Sequence, residues 1–138
     1  MQETWRSRLP AQVLFFLGLF DLFRGLAHTY WIHWANDTFA HLDLSVNGND
    51  QLMLLSAFGI SNLLTGAIYI LISLKAKALS AITLLLILLA YLFGWLGMKY
   101  AGVTPDSDFY GRYIMFGYFG VCIATIIIAW SGKKSDSA

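Results

Sequence analysis

The chain holds one cysteine, two prolines and, over 138 residues, only 12% charged side chains. The lone cysteine, Cys122, excludes an intramolecular disulfide framework and any multi-cysteine metal site. Set between Gly120-Val121 and Ile123-Ala124, it reads as a small apolar packing residue. The shortage of charge excludes an ordinary soluble domain, in which about 25% of residues are charged. So few charged groups could not cover a chain that is 58% hydrophobic. A net charge of +1 leaves no basic face for phosphates, so nucleic acid is not an expected partner. Catalytic signatures are missing too: no glycine-rich phosphate loop, H-E-x-x-H pair, nucleophile elbow or redox cysteine pair.

What the chain has instead is long apolar runs. Crossing about 30 Å of hydrocarbon takes about 20 mostly apolar residues in a helix. Four stretches qualify, at about 11–32, 52–74, 79–98 and 109–130. Barrel strands would alternate over about 10 residues, and these runs do not. The expected fold is all-α, a single-domain integral membrane four-helix antiparallel bundle. Asp21 and Arg24 interrupt the first run, and no small-x-small cleavage site follows it cleanly. It therefore reads as an uncleaved helix rather than a signal peptide.

Basic residues outside the runs set the expected orientation. Arg6 and Arg8 precede the first, Lys75 and Lys77 fill the second connection, and Lys133 and Lys134 follow the fourth. The 33–51 connection carries Asp37, Asp43 and Asp50 with no lysine or arginine. Lys99 and Arg112 fall on that same side, beside Asp106 and Asp108. The positive-inside bias then places both termini in the cytoplasm, with 33–51 outside. Tyr30, Trp31 and Trp34, with Tyr100, Phe109, Tyr110 and Tyr113, form an expected outer aromatic belt; Trp5 and Trp130 mark the inner boundary. Within the outer loop, Asn36-Asp37 is expected to cap a short helix through Leu42 ahead of an Asn47-Gly48 turn. Thr104-Pro105-Asp106 is the expected start of the fourth helix.

The first run is unlike the others. On a helix turning about 100° per residue, Arg24 lies about 60° and His28 about 20° from Asp21, so the three share one stripe. Each ionised group at mid-membrane costs about 2.5–3.5 kcal/mol to insert, so the stripe must face inward and pair. Gly18 and Gly25 make the adjoining flank small. The neighbour expected there is the second run, where Gly59, Asn62 and Gly66 share a face. Counting depth from the ends brings in Tyr91 and Tyr118. The expected polar core is Asp21, Arg24, His28, Asn62, Tyr91 and Tyr118, serving as helix glue or as a ligand or proton site. His33, Asp37 and His41 would stack as a weak metal patch only if their loop were one helix. Haem would need two histidines at depth and only His28 qualifies, so no cofactor is expected.

The layout, with Phe23-Arg24-Gly25 in the first span, resembles the DoxX-like group of small bacterial membrane proteins. That resemblance implies a four-helix bundle and carries no activity with it. The expected role is a non-enzymatic binding or accessory subunit of a bacterial inner membrane. Its expected partners are membrane lipids and either further copies of itself or a larger membrane complex. Two alternatives use the same stripe: a small dimeric transporter or proton-coupled carrier, and an enzyme acting on a lipid or quinone.

Overall fold

The computed structural model describes residues 5–104 and 110–135. Helix α1 spans Trp5–Thr29; α2 is a single turn, Ile32–Ala35, running into a π-helical turn, Asn36–Ala40. Helix α3 spans Gly48–Lys75, a 3-10 turn at Lys77–Leu79 leads into α4, Ser80–Tyr100, and α5 spans Gly111–Ser135. Four stretches are long and apolar enough to cross a membrane: Arg8–Thr29, Gly48–Lys75, Lys77–Tyr100 and Gly111–Ser131.

Two of the boundaries that differ from those expected have a visible backbone cause. The first helix stops at Thr29 rather than Ile32. The Tyr30 and Trp31 N–H groups both donate to the Leu26 carbonyl, at 2.9 and 3.3 Å. The last turn therefore widens, and Trp31 leaves helical geometry at φ −113°, ψ 38°. Helix α3 begins four residues before the expected Leu52, because Asn47 takes a left-handed conformation (φ 52°) and turns the chain directly into it. Asparagine tolerates that region better than most residues. The expected helix start at Thr104-Pro105-Asp106 cannot be placed: Pro105, Asp106 and Phe109 lie outside the described residues.

The 33–51 connection is more ordered than a solvated loop. Asn36 does not cap a helix as expected. It is buried, and its Oδ1 accepts the Leu42 N–H at 3.0 Å. His41 (φ 50°) then ends the π-helical turn. Gln51 Nε2 donates to the Asp43 and Val46 carbonyls, both at 2.8 Å. Hydrogen bonds from Ser45 hold the exposed Asp43 carboxyl below the usual carboxylate range. The Tyr110 N–H donates to the Phe39 carbonyl at 3.0 Å, and the His41 ring stands edge-on to Tyr110 at 5.0 Å. Those contacts tie the connection to the start of α5.

Helix α1 is the element on which the other long helices meet: it touches α3, α4 and α5. Against α3 the two run antiparallel at backbone range. A Cβ on Gly66 would stand 2.7 Å from the Gly18 carbonyl oxygen and 2.9 Å from the Leu22 nitrogen. One on Gly25 would stand 2.9 Å from the Gly59 carbonyl oxygen. On its other side α1 sends Leu14 and Leu17 into an apolar cluster with Leu84 and Ile87 of α4 and Tyr118, Cys122 and Ile126 of α5. In lipid such a cluster gains from van der Waals packing, because the surroundings are as apolar as the core. Helix α4 leaves the cluster after Ile87, and from Leu89 to Thr104 every residue is exposed.

The glycine contact sets a sign that thermal unfolding in detergent micelles reads. Gly66→Ala gains up to about 1 kcal/mol of helix propensity but must push two backbones apart. Overpacking of that kind costs about 1–3 kcal/mol, so the variant is expected to melt lower. Gly94→Ala, where a Cβ meets nothing within 4 Å, is expected to melt at or above the parent. Equal behaviour of the two would contradict the close approach.

Candidate functional site

The ionisable stripe of α1 sits inside the molecule. At 1.5 Å per residue Asp21 lies about 12 Å from the Thr29 end of the helix and about 20 Å from Arg8. Asp21 is 4% exposed. Its Oδ1 accepts the Arg24 Nη1–H at 3.0 Å, an i,i+3 pair within one helix. Its Oδ2 accepts the Tyr118 hydroxyl at 3.2 Å, across to α5. Both oxygens of the buried carboxylate are thus satisfied, one by a cation and one by a neutral donor. The pair has no net charge, which is what lets it stay at this depth.

Arg24 is held by faces as well as by charge. Its guanidinium carbon lies 5.4 Å from the Phe58 ring centroid on α3 and 5.8 Å from that of Phe20 on α1. Guanidinium groups are attracted to aromatic faces, more strongly where water is excluded. Neither phenylalanine was singled out from the sequence. Phe20 had a signal, standing one helical turn before Arg24; Phe58 had only its place next to Gly59. Beyond the bond to Asp21, Arg24 donates to no other acceptor among the described residues.

His28 lies one turn further along, its ring 5.4 Å from Phe58 and its Cβ against Gly59. Its Nδ1 is buried without a partner. Asn62, 5% exposed on the α3 face that carries Gly59 and Gly66, likewise buries its Nδ2 with no acceptor. A buried, unmet donor costs about 1–3 kcal/mol, which an arrangement that is merely structural has every reason to lose.

Tyr91 stands apart from this group. It is 38% exposed and packs edge-on against Phe119 at 5.0 Å, where α4 is already diverging. His33, Asp37 and His41 fall in three different conformations: α2, the π-helical turn and the left-handed residue that ends it. The single helix that would have stacked them does not form. Among the described residues no three His, Cys, Asp or Glu side chains are grouped to hold a metal ion.

The arrangement defines a class: a helical chain with four membrane-length helices and a neutral, partly unsatisfied ionic layer in its interior. No family model, curated protein or solved structure matches the chain.

Two substitutions separate satisfied from unsatisfied members of the layer. Tyr118→Phe removes one bond to a buried carboxylate and is expected to lower stability by about 1.5–3 kcal/mol, the range for hydrogen bonds to charged groups. Asn62→Leu replaces an unmet amide with an apolar group of similar size and is expected to leave stability unchanged or raise it. Unfolding of each variant in the same micelle checks both; a large loss in Asn62→Leu would mean that the amide already has its partner.

Proposed function

We propose that the chain is an integral membrane protein that crosses the bilayer four times as an antiparallel bundle, with both termini in the cytoplasm. Its interior polar layer binds a small molecule and catalyses nothing. The acidic 33–51 connection and the basic residues at the opposite helix ends favour this orientation, and the same pattern fits a bacterial inner membrane. The observation that carries the binding reading is a set of unmet polar atoms. The Asn62 Nδ2 and the His28 Nδ1 are buried without partners, while the Asp21–Arg24 pair is already balanced in charge. A ligand that completes this layer presents oxygen acceptors and little net charge, as carbonyl, ester and amide compounds do. The Phe20 and Phe58 rings supply apolar walls.

Two features weigh against catalysis and transport. The Asp21 oxygens are both engaged with protein donors, so this carboxylate aims no free oxygen at a substrate proton. The layer draws its side chains from α1, α3 and α5, and four spans are few to build a transport path.

Purification from membranes in mild detergent, followed by mass spectrometry of what is retained, tests the proposal. The expected result is one small oxygen-bearing molecule per chain, lost in Asn62→Leu while that variant remains folded. A stoichiometric second protein with no retained small molecule would instead make this an accessory subunit.

A further inference from the structure

At the other end of α1, far from the ionic layer, a groove of about 460 Å³ opens between α1 and the end of α3. Its lining changes character along its length. Arg8 and Lys77, both exposed, stand at one end, where helices α1 and α3 leave their apolar stretches. Ser73 comes next. Phe15, Phe16 and Leu74 form the remainder, with Phe16 and Leu74 67% and 55% exposed. Arg8 and Phe16 fall on one stripe of α1, eight residues and about 12 Å apart along the helix axis. Among the described residues no carboxylate lines the groove.

Cations at the boundary with apolar side chains about 12 Å deeper reproduce the order of groups in a phospholipid. The phosphate lies at headgroup level and the acyl chain below it. Lysine and arginine at helix ends carry their charge to the interface while their stems lie along apolar surface. Basic pockets between helices on the cytoplasmic side take anionic lipid headgroups, each cation near the surface contributing about 1 kcal/mol.

We propose that this groove is a binding site for one anionic phospholipid, its phosphate between Arg8 and Lys77 and an acyl chain along Phe15, Phe16 and Leu74. The site is separate from the polar layer and depends only on the helices crossing a bilayer. Resistance of the chain to alkaline carbonate extraction tests that condition by itself.

Native mass spectrometry of the full chain provides the test, with phosphatidylglycerol and phosphatidylcholine offered in equal amounts and inorganic phosphate offered alone. One phosphatidylglycerol is expected to stay bound in preference to phosphatidylcholine. Its affinity is expected to fall about fivefold for Arg8→Gln or Lys77→Gln and about 30-fold for both, from the contribution per cation. Lys99→Gln, at the opposite boundary, should bind as the parent does. Equal retention of phosphatidylcholine, unchanged binding in the double variant, or retention of inorganic phosphate in place of the lipid would each overturn the proposal.

Discussion

The carboxylate of Asp21 governs this fold more than any apolar contact does. A charge at that depth is costly to insert, and the sequence places its neutralising partner three residues along the same helix. The Asp21–Arg24 pair can therefore form as α1 forms, before any other helix arrives. Once formed, it still requires a polar surrounding on one side only. That requirement fixes the rotation of α1 about its axis, and the rotation decides what the rest of the helix presents. Leu14 and Leu17 turn toward α4 and α5, while Gly18 and Gly25 turn toward α3.

The two sides of α1 then solve different packing problems. Toward α3 the contact is close because glycines remove side chains, and backbone meets backbone. Toward α4 and α5 it is a conventional interlocking of leucine, isoleucine, cysteine and tyrosine. Tyr118 belongs to both descriptions, since its ring lies in the apolar cluster and its hydroxyl reaches Asp21. That one side chain joins the core to the ionic layer. In the far half of α4 the Tyr91 ring meets Phe119, and from Leu89 onward every described residue of the helix is exposed.

Much of this was legible from residues alone, and the parts that were not have identifiable causes. The four apolar runs announced themselves by length. Angles along a single helix need no knowledge of its neighbours, and they put Asp21 with Arg24, which pair at 3.0 Å, and Gly59 with Asn62 and Gly66, which are all buried. Tyr91 was brought in by depth instead, and depth alone does not say whether a helix still has neighbours at that level. What sequence could not convey is that α4 diverges just there. The end of α1 escaped for a related reason: Tyr30, Trp31 and Ile32 are as apolar as a helix interior, and only the backbone bonds to Leu26 reveal the widened turn. Phe58 was missed because an aromatic residue beside a glycine is unremarkable until a guanidinium from another helix lies over it.

The central claim is that the Asp21–Arg24 pair acts as one unit on which the orientation of α1 depends. A double-mutant cycle with Asp21→Asn, Arg24→Gln and the combined variant, unfolded in bilayer nanodiscs, measures that most directly. Each single substitution leaves one buried charge uncompensated and is expected to cost about 3–5 kcal/mol. The combined variant should cost clearly less than the sum, with a coupling at the upper end of the roughly 0.5–3 kcal/mol found for residues in contact. Additive losses, or single losses within about 0.5 kcal/mol of the parent, would contradict the account.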